Sequence, residues 1–197
     1  MNARPTRFAA TSLAALVAAL LAACASPVAA PSPNIAAPAA GLSDPARTAR
    51  LLASAEMAWD AGRMGEVRAA LASLDALGAK SLDERDPASE WGAAAGYSEP
   101  PMRGRTLGPG YRRGTLEAGE TMRLEQSFLS GERAMVSLSA SQANRLALTV
   151  SHPDRRRVCA GSSTPVDCSW LPLITQRFTI QITNRGPDRA SYYLVTN

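Results

Sequence analysis

A mainly β fold, an antiparallel β-sandwich preceded by an N-terminal αα-hairpin, is what this sequence predicts, on three observations. Apolar residues recur at helical spacing over residues 44–80. The period changes to two from Arg113 onward, and turn residues punctuate that second region every ~8–12 residues. The chain has 197 residues, 46% of them hydrophobic and 19% charged, a size that suits one domain with a small appendage.

In the helical region Asp44-Pro45 reads as an N-cap followed by proline in the first turn. Leu52, Ala55 and Trp59 then recur at i, i+3 and i+7, and Gly62 and Gly65 interrupt the pattern. Val67, Leu71, Leu74 and Leu77 restore it, with Gly78 as the stop signal. Two helices joined by a short turn make the hairpin. Residues 81–112 carry Pro100-Pro101 and Gly108-Pro109-Gly110 and read as a connecting loop. A helical turn is expected there near 89–95, with Trp91 and Tyr97 pinning the segment to a core.

The β region, 113–197, alternates in short runs. Met122 and Leu124 lead to Phe128; Ala134, Val136 and Leu138 follow; then Leu146, Leu148 and Val150. Val158-Cys159 and residues 168–171 flank a Gly/Ser/Pro loop. Phe178, Ile180 and Ile182 alternate, and residues 193–195 close the series. Turns fall at Gly131-Glu132, at His152-Pro153-Asp154 and at 184–188. Short strands with one apolar and one polar face build an antiparallel sandwich wetted on its outer faces.

Ahead of the hairpin stand a leader, 1–23, and a tether, 24–43. Arg4 and Arg7 precede an uncharged Ala/Leu-rich run over residues 8–23. That run is shorter than the ~20 apolar residues of a transmembrane helix and has the flanks of a secretory signal peptide. It ends Leu21-Ala22-Ala23-Cys24, which resembles the lipobox of bacterial lipoproteins. The resemblance implies removal of 1–23 and acylation of Cys24, a diacylglyceryl or palmitate type of anchor. Ala25, where that family uses aspartate for inner-membrane retention, implies outer-membrane sorting, with the domain facing the periplasm or the surface. The alternative is an ordinary signal peptide cut at Ala23-Cys24-Ala25, giving a secreted or periplasmic soluble protein. Prolines 27, 31, 33 and 38, with Ala and Ser between them, make the tether extended and semi-rigid.

There are three cysteines. With Cys24 acylated, Cys159 and Cys168 remain, and in an exported protein the expectation is a structural disulfide between adjacent strands. Their spacing is not Cys-x-x-Cys, and a single histidine, His152, leaves zinc short of ligands. His152 lies in a Ser-His-Pro-Asp turn, and no Gly-x-Ser-x-Gly elbow exists, so it reads as a solvated turn residue. No catalytic, cofactor or metal site is expected, and the chain is not read as an enzyme.

The formal charge is +4, and loss of Arg4 and Arg7 with the leader leaves 19 basic against 17 acidic residues, or +2. The runs 155–157 and 112–113, with Arg103 and Arg105, define a candidate basic face for lipid phosphates, an anionic glycan or an acidic protein. The plainer reading is a solvated face. Export makes nucleic acid an unsuitable partner.

Over 114–197 the motifs Leu116-x-x-Gly119-Glu120, Gly131 before residues 134–138, residues 146–150 with a Pro153-Asp154 turn, residues 178–182, Asn184-x-Gly186 and residues 191–194 resemble the bacterial pre-peptidase C-terminal domain. The resemblance implies a jelly-roll-like sandwich and a non-catalytic accessory role. Its Asp-x-Asp pattern is replaced here by Asn144-Arg145-Leu146, so a calcium site, which needs six to eight oxygens, is not carried over. Residues 51–79 resemble one tetratricopeptide unit. A single unit lacks the neighbours such repeats use to bury a core, so a hairpin packed on the adjoining domain is the reading taken.

The function these features imply is a non-enzymatic, membrane-anchored envelope lipoprotein acting as an interaction or structural module. Its partners would be the membrane, through Cys24, and an envelope protein or anionic glycan. The alternative is a glycan- or peptide-binding β-sandwich.

Overall fold

A computed structural model describes residues 41–98, 108–142 and 145–197. The leader, Cys24, most of the tether, Arg103, Arg105 and Asn144 lie outside the described residues. Three helices, α1 (Asp44–Asp60), α2 (Met64–Ala76) and α3 (Pro87–Ala95), accompany the strands β1 (Lys80–Ser81), β2 (Gly110–Leu116), β3 (Thr121–Phe128), β4 (Ala134–Ser139), β5 (Leu146–Ser151), β6 (Arg157–Gly161), β7 (Val166–Trp170), β8 (Gln176–Asn184) and β9 (Ala190–Thr196).

The strands form a five-stranded sheet, β1-β2-β9-β4-β7, and a four-stranded sheet, β3-β8-β5-β6. Pairing is antiparallel except between β1 and β2. The inner faces meet in one core, where Leu116, Val136, Leu138 and Leu194 pack with Leu148, Phe178 and Ile180. A fully buried side chain of this size stabilises by ~1.5–3 kcal/mol.

The centre of the outer face of the five-stranded sheet is not wet, although Asp167 and Ser169 on β7 are exposed. Tyr111, Tyr193 and Val195 turn outward into a second core with Leu52, Leu71, Leu74 and Trp91 from the helices. The described residues therefore form three layers, helices on sheet on sheet, and the four-stranded sheet carries the more exposed outer face. This second core explains why residues 192–195 are apolar without alternation, since β9 is buried on both faces. Residues 41–197 form one compact unit that holds every side chain of both cores.

Local chemistry sets the helix ends. Ser43, rather than Asp44, caps α1; its Oγ accepts from the Ala46 N–H at 3.3 Å. Asp44 instead pairs with Arg47 one turn on, at 2.9 Å. Residues 81–112 are more than a connection. Asp86 accepts from the Ala88 N–H at 3.1 Å and Pro87 opens α3, which spans the expected helical turn and more. Trp91 on α3 meets Tyr193 edge-on at 6.5 Å, and the Tyr97 hydroxyl donates to Asp75.

Strand β2 begins inside the same segment. It pairs with β9 from Gly110↔Thr196 to Leu116↔Ala190. Gly114 is required there, because a Cβ would come within 2.3 Å of the Tyr192 ring that lies across it. Asn184, buried at the end of β8, closes the opposite corner. Its Nδ2 donates to the carbonyls of Leu116 (3.1 Å) and Asp188 (2.7 Å), and its Oδ1 accepts from Gly186 N–H (2.9 Å).

Candidate functional site

The β3–β4, β5–β6 and β7–β8 connections meet at one end of the sandwich. The β7–β8 connection reads Leu171-Pro172-Leu173-Ile174-Thr175 where turn chemistry would call for polar residues. Leu173 is 88% exposed, Ile174 62%, Leu171 58%, and Leu129 on the β3–β4 turn 53%. The loop is tied down. The Ser130 hydroxyl donates to the Leu173 carbonyl (2.8 Å), the Ser130 N–H to Thr175 Oγ1 (3.0 Å), and the Gly131 N–H to the Pro172 carbonyl (3.1 Å). Gly131 has φ +75°, a left-handed turn that glycine adopts without strain.

An aromatic base supports the loop. Trp170 lies 4.9 Å from Phe128 and 5.2 Å from Phe178, and Phe128 meets Phe178 edge-on at 5.8 Å. Pairs of this kind add ~0.5–1.5 kcal/mol each beyond area burial. His152 joins them, its ring edge-on to Phe178 at 5.7 Å. The sequence read it as a solvated turn residue; the structure half-buries it, because the β5–β6 turn folds over the aromatic cluster. Its Nδ1 lies 3.0 Å from Asp154 Oδ1. The Arg156 N–H donates to Asp154 (2.9 Å), and that bond, assisted by the charges of His152 and Arg156, holds the Asp154 carboxyl below the ordinary range.

Arg155 and Arg156 on the same turn and Arg157 at the start of β6 are exposed, and no salt bridge engages them among the described residues. A cleft of about 600 Å³ brings Arg156 and Arg157 together with Trp170, Leu171, Leu173 and Ile174. A second, of about 520 Å³, is lined by Asp44, Leu129 and Arg133 among others. The N-terminus of α1 therefore opens at the same end as the apolar loop.

The remaining sequence candidates fall elsewhere. Cys159 and Cys168 form the disulfide, Cα to Cα 5.9 Å. It joins β6, at the edge of one sheet, to β7, at the edge of the other, so the adjacent strands it bridges belong to different layers. Arg112 and Arg113 do not add to the basic face. Arg112 pairs with Asp83 at 2.7 Å, and Arg113 pairs with Glu56 on α1, whose side chain is 7% exposed. Burial alone would lower the Arg113 pKa, but the bond to Glu56 and its charge outweigh that, and the guanidinium is held more firmly protonated.

The sequence groups Leu171 with the strand residues 168–170, whereas β7 ends at Trp170 and Leu171 opens the loop; residues 129 and 172–174 carry no sequence expectation. The signal was the Leu-Pro-Leu-Ile run at a position that the flanking strands required to be a turn. Among the described residues no group of three or more His, Cys, Asp or Glu side chains converges as a metal site, and no helix is long and apolar enough to cross a membrane.

No protein-family model matches the chain, and no curated protein matches it. Solved structures similar to part of it include PliG of Aeromonas hydrophila, a periplasmic inhibitor of g-type lysozyme, at 10% identity and TM-score 0.37 over 45% of this chain and 84% of that one. The pre-peptidase C-terminal domain of a Bacillus anthracis collagenase is similar at 12% identity and TM-score 0.38 over 44% and 87%. The Yersinia pseudotuberculosis-derived mitogen is similar at 11% identity and TM-score 0.38 over 45% and 84%.

Proposed function

We propose that this chain is a non-enzymatic module of the bacterial cell envelope, lipid-anchored at Cys24 in the outer membrane, whose contact with its partner runs through the end of the sandwich bearing Leu171, Leu173 and Ile174. One observation carries the reading. Large aliphatic side chains stand exposed together on a loop fixed by three hydrogen bonds over a packed aromatic base. A contiguous exposed apolar patch rimmed by polar groups marks an interaction surface. The Leu21–Cys24 motif supports the anchor. The glycan-binding alternative would use the outer face of the four-stranded sheet. There the polar groups are engaged with each other, Arg123 with Gln181 at 3.1 Å and Thr121 with Thr183 at 2.9 Å.

The test places a photo-crosslinking residue at position 173, or at 181 on that polar face, in cells producing the full chain. Adducts with protein or lipid, read by mass, are expected from 173 and not from 181. Adducts from 181 alone, or from neither, contradict the reading. In the same cells Cys24→Ser is expected to abolish incorporation of labelled palmitate and to leave a membrane association that a high-salt wash removes.

A further inference from the structure

We infer, resting on that contact face, that its occupant is the anionic surface of a phospholipid bilayer, into which Leu171, Leu173 and Ile174 insert while Arg156 and Arg157 take the headgroup phosphates.

The shape fits a layered partner better than a pocketed one. Leu173, 88% exposed, stands at the tip of a loop, with Ile174 and Leu171 beside it. These side chains form the aliphatic lip of an open cleft whose other wall carries Arg156 and Arg157, and such a lip can enter the acyl boundary of a bilayer while the arginines stay at headgroup level. Interfacial elements bury their apolar side ~5–10 Å into that boundary. Trp170 lines the same cleft, and its ring packs on Phe128 and Phe178, so the loop stands on a rigid base.

The charges sit where the phosphates would be. Arg156 on the adjoining turn and Arg157 at the start of β6 share the cleft with the aliphatic residues, while Arg155 lines the neighbouring cleft with Arg123 and Gln181. Guanidinium groups bind phosphate oxygens in bidentate geometry. The acid in that turn, Asp154, is occupied by His152 and by the Arg156 N–H. On the neighbouring turn Glu132 and Arg133 balance in formal charge.

The attachment geometry agrees. The described body begins at Gly41, and α1 starts at Asp44, which lines the same opening as Leu129 and Arg133. The 17 residues from 24 to 40 precede Gly41 in the sequence. At ~3.1 Å per residue that stretch reaches about 50 Å when extended, so it permits the contact without forcing it. The anchor and the loop then act as two signals on one surface, and each raises the effective concentration of the other.

The test uses the chain from Ser26 onward, which lacks the leader and Cys24 and keeps both cores intact. It is sedimented with vesicles of phosphatidylethanolamine and phosphatidylglycerol, and with phosphatidylcholine vesicles. Binding to the anionic vesicles is expected, weakening with salt, with little binding to the neutral ones. Leu173→Asp is expected to lower it at least tenfold. Arg156→Ser and Arg157→Ser should lower it on the order of fivefold each. Every altered residue is exposed, and an unchanged thermal melt separates lost binding from lost folding. No binding to anionic vesicles, or binding unaltered by Leu173→Asp, overturns the lipid assignment. Protein adducts from position 173 in the crosslinking experiment would then keep the contact face and give it a protein occupant; no adducts at all would remove the face as well.

Discussion

The Ser130 hydroxyl donates to the carbonyl of Leu173 at 2.8 Å, so the β3–β4 turn holds the tip of the β7–β8 loop by its backbone and leaves the leucine side chain in solvent. Ser130→Ala removes that bond and keeps the two backbone-donated ones. The expected cost is about 0.5–1.5 kcal/mol, felt locally. Hydrogen exchange at residues 171–175 should quicken while that of β8 is unchanged. Exchange at 171–175 identical to the parent would show that the aromatic base holds the loop without the turn.

The Cys159–Cys168 bridge closes the open edge between the two sheets. For a loop of roughly ten residues the chain-entropy estimate is about 2.7 kcal/mol. Reduction, or replacement of both cysteines by serine, should lower the urea midpoint by a corresponding amount without changing the far-ultraviolet dichroism. A midpoint insensitive to reductant would mean that the edge strands are held by packing.

Glu56 and Arg113 join the helical layer to β2. Arg113→Ala strands a carboxylate that is only 7% exposed. Because Arg113 itself is 43% exposed, solvent screening brings the expected loss to about 2 kcal/mol, below the ~3–5 kcal/mol of a fully buried pair. Glu56→Gln should cost less, and adding it to Arg113→Ala should restore part of the loss. Additive effects in urea denaturation would argue against direct coupling.

Three tyrosines report on the two cores. Burial, followed by the charges of Asp83 and Glu120, pushes Tyr192 up from 10.0 to about 12. Burial also raises Tyr111, with Asp86 adding to it, and Tyr193. A folded-state pKa above the unfolded value stabilises fully below the unfolded pKa, and that stability is lost as pH rises toward the folded one. Stability should therefore decline from about pH 10 upward, and phenolate absorbance of these tyrosines should appear only with unfolding. Phenolate absorbance from all four tyrosines near pH 10 in a protein that retains its near-ultraviolet dichroism would contradict the burial.

Much of the sandwich was legible because its core strands alternate. Met122 and Leu124, then Leu146, Leu148 and Val150, then Phe178, Ile180 and Ile182 each mark one inner face. Strand β2 was hidden because Gly110–Leu116 places two arginines and a glycine between Tyr111 and Leu116. Its outward contacts are with helices, and its inward room is taken by the Tyr192 ring. The Asp86-Pro87 start of α3 repeats the Asp44-Pro45 signal that revealed α1 and was readable by the same rule. The candidate site was the least legible part. Apolar residues at 171–174 look like core in a one-dimensional pattern, and only the three-dimensional course of the β7–β8 loop shows them to be outside. The arginines at 155–157 were visible as a run, but their nearness to that loop comes from strand pairing.

Hydrogen-exchange footprinting of the full chain on isolated envelope membranes tests the contact face most directly. Compared with the chain from Ser26 onward free in solution, residues 155–157 and 171–175 should exchange more slowly, while the outer face of the four-stranded sheet, at residues 121–125 and 177–183, should not change. Unaltered exchange at 171–175, or protection centred on 121–125 and 177–183, would contradict the account.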